Sequence, residues 1–240
     1  MIRRVIFLLG LGLLALSGRE ATATRGIVFC WCPPADGQEG FWMAKHEATV
    51  ELVQGKAGLT LADGTVLQPD HPMVMADLKT IDRFLRSLSE QGRKDGTLPE
   101  GWEYDLPTQS EWTRACRADR DEEPSLARLA REANFADQSL RQSAVDGDFS
   151  YAESGVNDGF AFVAPVGSLK ANPLGIHDLR GNVWEMVWRE NREEKQIIFC
   201  GGSWCSPAAQ CRADSRRQGY DREKSRFSGF RIVMRKKKPD

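Results

Sequence analysis

The clearest periodic pattern in the chain lies between residues 75 and 88. Apolar side chains recur there at three- and four-residue steps, at Leu78, Ile81, Leu85 and Leu88. This spacing predicts an amphipathic helix over 75–88, with Asp77 as the residue that caps its start.

A second helix is predicted by a capping box at Thr108 and Glu111. The Thr108 hydroxyl can accept a hydrogen bond from the amide of Glu111, while the Glu111 carboxylate accepts one from the amide of Thr108. Trp112, Ala115 and Cys116 then form the buried face of this helix.

Between these helices and the chain ends, the pattern predicts one strand and one long irregular stretch. The strand runs from Gly26 to Cys32, and if it is extended, Cys30 and Cys32 share one face and each needs a partner across the sheet. From residue 119 to about 175, regularity fades and Asp, Asn, Gly and Ser accumulate. An ordered stretch of this kind needs support for its backbone, and metal ions are a common source.

The first 23 residues have the three parts of a secretory signal. Two arginines precede an apolar run from Val5 to Leu16, and Ala21-Thr22-Ala23 offers a small-residue cleavage site. The apolar run is shorter than the ~20 residues that span a bilayer. We therefore predict a signal peptide over 1–23 and an exported mature domain over 24–240, periplasmic or secreted and without a membrane span.

Composition limits the function classes. The 240 residues are 41% hydrophobic, which is enough for the core of one large domain. A net charge of −1 gives no field suited to a nucleic acid partner. The six cysteines can pair in an oxidising compartment, although the sequence does not choose among their pairings. The three histidines lack the short spacing of zinc and non-haem iron sites.

Anchors rich in glycine, tryptophan and arginine follow one another near the carboxyl end: Gly181-Asn182-Val183-Trp184-Glu185, Gly201-Gly202-Ser203-Trp204, Cys211-Arg212 and Gly229-Phe230-Arg231. Upstream lie Phe41-Trp42-Met43-Ala44-Lys45-His46-Glu47, Leu106-Pro107-Thr108-Gln109-Ser110-Glu111-Trp112 and Asn157-Asp158-Gly159-Phe160. In this order the segments resemble the formylglycine-generating enzyme (sulfatase-modifying factor) family. Among the arginines, Arg212 and Arg231 are the best candidates for buried ion pairs.

The resemblance implies a single α+β domain, a loop-rich formylglycine-generating-enzyme-type variant of the C-type lectin fold. It also implies two calcium (Ca²⁺) sites, each made of side-chain and backbone oxygens. The first would use the side chains of Asn134 and Asp158 with the carbonyls of Phe135 and Phe160. The second would use the side chains of Asp178 and Glu185 with the carbonyls of Gly181 and Val183. Asp178 stands where a carboxamide is expected, which keeps an oxygen ligand and adds charge.

In active relatives, two cysteines after the Gly-Gly-Ser-aromatic motif bind copper as Cu⁺, and O₂ then oxidises a substrate cysteine to formylglycine. The candidates here are Cys205 and Cys211, which are six positions apart where the active pattern has five. In extended chain, a shift of one residue turns a side chain to the opposite face. A structural role for both cysteines, in disulfides or in the core, therefore stands beside the copper site.

Three functions stay open at this point. The first is an oxidase that converts a cysteine of an exported protein or peptide, such as a sulfatase, to formylglycine. The second is a related oxidase acting on another exported substrate, such as a siderophore precursor. The third is a non-catalytic module that binds a protein, peptide or glycan on the same calcium-supported scaffold.

Overall fold

The computed structural model describes residues 20–35, 37–55, 58–62, 64–120, 122–143, 148–190 and 194–237. Most of the predicted signal segment, residues 1–19, lies outside these ranges. Its predicted cleavage motif lies inside them, because Glu20–Thr22 forms the first strand. Within the described ranges, no helix is both long and apolar enough to cross a membrane.

Short strands and helices alternate with long loops. The strands are β1 (Glu20–Thr22), β2 (Val28–Cys32), β3 (Phe41–Ala44), β4 (Leu59–Thr60), β5 (Val66–Leu67), β6 (Trp102–Asp105), β7 (Trp184–Trp188), β8 (Ile197–Cys200), β9 (Arg216–Gln218), β10 (Ser228–Phe230) and β11 (Val233–Lys236). The helices are α1 (Val50–Gln54), α2 (Leu78–Asp95), α3 (Gln109–Arg117), α4 (Leu126–Glu132) and α5 (Gln138–Arg141).

Two sheets hold the domain together. The first has the order β1-β2-β3-β11-β6, with every neighbouring pair antiparallel. The second has the order β10-β7-β8-β9, in which β10 and β7 are parallel. Because β10 and β11 are consecutive, the carboxyl end of the chain joins the two sheets.

Both predicted helices are present. The Asp77 carboxylate accepts a hydrogen bond from the amide of Thr80 at 2.9 Å, so α2 starts at Leu78. Met75 has a φ of 58°, which is incompatible with a right-handed helix, so the predicted start at 75 was three residues early. The capping box of α3 is confirmed, with Thr108 Oγ1 3.2 Å from the Glu111 amide.

The core has two main parts. In the larger one, Ile81, Leu85 and Leu88 of α2 lie in one cluster with Phe29 and Phe230 of the two sheets. The second surrounds Trp112 and includes four buried cysteines, at positions 30, 32, 116 and 200. The prediction that Cys30 and Cys32 share a face is therefore confirmed.

The stretch from residue 119 to 175 is mostly irregular, as predicted, but it contains α4 and α5. The first buries Leu129, and the second is capped by Asp137, whose carboxylate accepts from the amide of Ser139 at 2.8 Å. Helices of seven and four residues are too short to give a periodic signal, so sequence reasoning missed both.

Candidate functional site

The loop from Gly201 to Cys211 carries both candidate cysteines. Gly201 and Gly202 have φ values of 94° and 82°, in the region that favours glycine. A Cβ added to Gly202 would lie 2.7 Å from the sulfur of Cys211. The glycine pair therefore lets the start of this loop pack directly against its end.

The structure gives the two cysteines different surroundings. Cys211 is 1% exposed and packs in a cluster with Leu129, Ala133 and Phe135. Cys205 is partly exposed, borders a different cluster that contains Trp204, and has its sulfur 3.5 Å from the Ser203 hydroxyl. Burial raises the pKa of both thiols, which disfavours the thiolate form that Cu⁺ requires.

The sulfur of Cys211 is thus closed off from solvent, and the pair does not fit a copper ion in this arrangement. All six cysteines lie in the described ranges, and each is a free thiol. The surroundings of Cys211 match the structural alternative better than the copper alternative.

Cys205 lies beside five aromatic rings from four separate segments, which we call the aromatic face: Phe149, Tyr151, Phe162, Trp204 and Phe227. Trp204 is central, with ring centroids 5.4 Å from both Phe162 and Phe227. The Tyr151 hydroxyl donates to the Cys205 carbonyl at 3.1 Å and ties the outer pair of rings to the loop. Tyr151 is 47% exposed and Phe162 is 37% exposed, so part of this apolar surface meets solvent.

The side chain of Arg226 borders the aromatic face. The guanidinium of Arg226 lies 5.9 Å from the ring centroid of Trp204 and 5.7 Å from that of Phe227. Both distances are within the range of cation–π attraction. The face therefore combines exposed rings, the positive charge of Arg226 and a partly exposed thiol.

The first predicted calcium set is brought together. Asn134 is 1% exposed, and its Oδ1 atom has no hydrogen-bond partner among the described residues. The Asp158 carboxylate accepts a hydrogen bond at 2.9 Å from the amide of Phe135, the residue that follows Asn134. It accepts another at 2.8 Å from the amide of Phe160. Burial raises the pKa of Asp158 to about 7, against the opposing effect of these two hydrogen bonds.

The set thus supplies a buried amide oxygen without a hydrogen-bond donor and a buried carboxylate, and both are oxygen ligands that a hard cation accepts. The first set therefore fits calcium. It contains a single carboxylate, and within the described part of the chain no three His, Cys, Asp or Glu side chains converge as they would on a metal ion.

The second predicted set is arranged differently. Glu185 is 1% exposed, and its Oε1 accepts from Nη2 of Arg231 at 2.6 Å. Its Oε2 accepts from Nε1 of Trp112 at 2.8 Å. Because the guanidinium already neutralises this carboxylate, the second set does not fit a calcium ion in this arrangement.

The two arginine expectations had opposite outcomes. Arg231 is fully buried in its pair with Glu185, as predicted. The prediction of a buried ion pair for Arg212 was wrong, because its side chain is 50% exposed. Its Nε atom pairs with Oδ1 of Asp214 at the surface, at 3.2 Å. Arg180, which the sequence did not single out, is largely buried. Its Nη1 atom donates hydrogen bonds to the Glu123 carboxylate and to the carbonyl of Cys211.

Sequence reasoning also missed Glu47. This residue is 2% exposed, and both of its carboxylate oxygens are 3.2 Å from Nδ2 of Asn182. Burial raises the pKa of Glu47, and the nearby Asp178 carboxylate raises it further. No pattern in the sequence marks Glu47 as buried, because Asn182 is its partner only after folding.

Residues 36–236 match the protein family described as the sulfatase-modifying factor enzyme 1-like domain. The chain belongs to this family. A curated relative, Chaperone protein LppX of Paenibacillus barcinonensis, is 28% identical over 144 residues. The match covers 56% of this chain and 51% of the relative, so the chain spans about half the length of that protein.

Solved structures show the same fold at low identity. Treponema denticola variable protein 1 has a TM-score of 0.64 at 16% identity, covering 89% of this chain and 97% of that one. PvdO from Pseudomonas aeruginosa has a TM-score of 0.57 at 20% identity, and the match covers 82% of this chain and 81% of PvdO. CarF has a TM-score of 0.55 at 20% identity, and the match covers 81% of this chain and 86% of CarF. The sulfatase-modifying-factor domain therefore has the predicted loop-rich α+β fold.

Proposed function

We propose that this sulfatase-modifying-factor domain is an exported, non-catalytic binding module that captures a polypeptide segment of another exported protein on the aromatic face. The observation that carries the proposal is the set of partly exposed rings around Trp204. Contiguous apolar patches on a soluble domain commonly mark interaction sites, and aromatic residues with arginine are enriched at their centres.

Two further observations support binding in preference to oxidation. The buried Cys211 is unavailable to an incoming substrate, so the loop lacks a second accessible sulfur. The chaperone name of the LppX relative also agrees with a polypeptide ligand, although that match covers only 56% of this chain. An unfolded segment with apolar side chains is the ligand class that five clustered rings favour.

Binding can be measured with reduced, carboxymethylated α-lactalbumin, an unfolded polypeptide, labelled for fluorescence anisotropy. We expect Tyr151→Ser combined with Phe162→Ser to weaken its binding at least ten-fold, because each truncation removes a large apolar contact of roughly 1 kcal/mol or more. The matched control is Tyr220→Ser, since Tyr220 is 67% exposed but lies outside the aromatic face. Equal binding by both variants would refute the proposal.

The oxidase is the second candidate, and the exposure of Cys205 is the observation that favours it. Its sulfur lies 3.5 Å from the Ser203 hydroxyl, and the Cys205 thiol is near enough to Cys211 to add to the rise in the pKa of that buried thiol. Bound Cu⁺ would supply the O₂ chemistry. Cu⁺ titration of the reduced wild type, Cys205→Ser and Cys211→Ser separates the candidates: tight binding that both substitutions abolish would replace the binding module with the oxidase.

We also propose that Asn134, Phe135, Asp158 and Phe160 hold a calcium ion that stabilises the irregular stretch. A ligand that binds only the folded state stabilises it by about 2.7 kcal/mol at a hundred times its dissociation constant. We expect a higher melting temperature in calcium than in chelator, and loss of that difference in Asp158→Ala. The Asp178→Ala variant should keep the difference in melting temperature. A wild-type melting temperature that is the same in calcium and in chelator would contradict the proposal.

A further inference from the structure

A cavity of about 300 Å³ lies beside the turn that joins β1 to β2. This volume is at the lower end of the range for small-molecule sites, so the cavity suits a small ligand. Its walls come from that turn, β2, the end of β3, α1 and the residue between β10 and β11. The apolar part of the lining is Ile27, Val28, Ala44, Ala48, Leu52 and Ile232.

Arg25 gives the lining of this cavity a cation in a fixed position. The backbone of Arg25 has a φ of 56°, in the left-handed region. Its Nε atom donates to the side-chain oxygen of Gln91 at 2.9 Å, and its Nη1 atom donates to the carbonyl of Leu52 at 3.2 Å. The guanidinium also lies 5.8 Å from the ring centroid of Phe84. Its Nη2 atom has no hydrogen-bond partner within the described ranges, so one edge of this cation is left to bind a ligand.

Glu51 gives the same lining an anion. Its side chain is exposed, and its carboxylate makes no ion pair or hydrogen bond with any other residue that the structure describes. Arg25 and Glu51 therefore line one cavity without pairing with each other. A ligand that carries both charges could pair with both residues at once.

The other two titratable residues of the lining leave this balance of charge unchanged. Glu47 is 2% exposed, and its carboxylate is bonded to Asn182. Burial lowers the pKa of His46 to about 4, so its imidazole is neutral at pH 7. The cavity thus presents one available positive charge, one available negative charge and an apolar surface.

We propose that this cavity binds a small zwitterion with an apolar body, of the chemical class of the aliphatic α-amino acids. Arg25 would hold the carboxylate of the ligand, Glu51 would hold its ammonium group, and the aliphatic side chain would lie against the apolar lining. The site is separate from the aromatic face, because the two share no residue. The proposal therefore goes beyond the capture of a polypeptide and does not depend on it.

Titration calorimetry of the full wild-type chain with L-leucine tests the proposal. Two analogues each lack one charge: 4-methylpentanoate has no ammonium group, and 3-methylbutylamine has no carboxylate. We expect L-leucine to bind about five-fold more tightly than either analogue, which is the effect of one ion pair open to solvent. It should also bind at least ten-fold more tightly than glycine, because each buried CH₂ group contributes about 0.8 kcal/mol. These comparisons need no variant, so they hold even if a substitution impairs folding.

Two variants then assign each charge to its residue. Arg25→Gln should weaken the binding of L-leucine and 4-methylpentanoate about five-fold and leave that of 3-methylbutylamine unchanged. Glu51→Gln should weaken the binding of L-leucine and 3-methylbutylamine and leave that of 4-methylpentanoate unchanged. The matched control is Arg93→Gln, since Arg93 is exposed but does not line the cavity.

Three results would overturn the proposal. The first is no measurable binding of L-leucine to the wild type. The second is binding of L-leucine that is no tighter than that of both analogues. The third is an equal loss for all three ligands in either variant, or the same loss in Arg93→Gln, because neither pattern could come from a charge that contacts the ligand.

Discussion

Replacing Glu185 by glutamine is expected to lower the free energy of unfolding by about 3–5 kcal/mol. The substitution keeps an oxygen to accept the indole N–H of Trp112, so it removes the charge and little else. Arg231 would then be a fully buried guanidinium without its bidentate carboxylate. Since a domain of this size has a total stability of roughly 5–15 kcal/mol, the loss is a large part of it.

Chemical denaturation measures this effect, and two controls define its origin. Asp214→Asn removes one member of the surface pair with Arg212 and should cost at most about 1 kcal/mol. The double variant Glu185→Gln with Arg231→Met should recover part of the lost stability, because it no longer buries an unpaired charge. A single Glu185→Gln variant as stable as the wild type would show that nearby Glu47 and Asp178 replace the missing carboxylate.

Gly181→Ala is expected to be similarly damaging, at about 2–5 kcal/mol. Gly181 has a φ of 74°, where a side chain costs about 1–2 kcal/mol, and a Cβ there would overlap the backbone carbonyl of Asn134. That carbonyl accepts from the amide of Asn182 at 2.7 Å, so it cannot move without breaking this bond. Overpacking of this kind adds about 1–3 kcal/mol.

Gly96→Ala is the matched control for this substitution. Gly96 has nearly the same φ, 73°, but a Cβ there would have no heavy atom within 4 Å. It should therefore show the backbone cost alone, about 1–2 kcal/mol. Because Gly181 contacts Asn134 of the first calcium set, its variant should also respond less to calcium in thermal melts, whereas equal losses in both variants would contradict the steric explanation.

Local chemistry explains which parts of the fold the sequence could predict. Thr108, Glu111 and Asp77 bond within a few residues of themselves, so the capping residues of α2 and α3 follow from spacing, although the spacing placed the start of α2 three residues early. The common face of Cys30 and Cys32 follows from the alternation of a strand. The overall fold was predicted from the family resemblance, because the segments that resemble the family occur in a fixed order along the chain.

The remaining features depend on residues that meet only after folding. Glu47 is 135 positions from its partner Asn182, and no local pattern links them. Arg212 and Arg231 look equivalent in sequence, yet only Arg231 lies where two sheets meet around a buried acid. The aromatic face draws rings from four segments, so its existence is a property of the tertiary structure.

The position of β11 has a consequence for synthesis of the protein. This strand comes last in the chain but lies between β3 and β6, and both pair with it directly. The first sheet therefore cannot close before β11 has been synthesised, however much of the amino-terminal half is already present. Folding of the first sheet is therefore completed only by contacts between parts of the chain that are far apart in sequence, which makes this step slow.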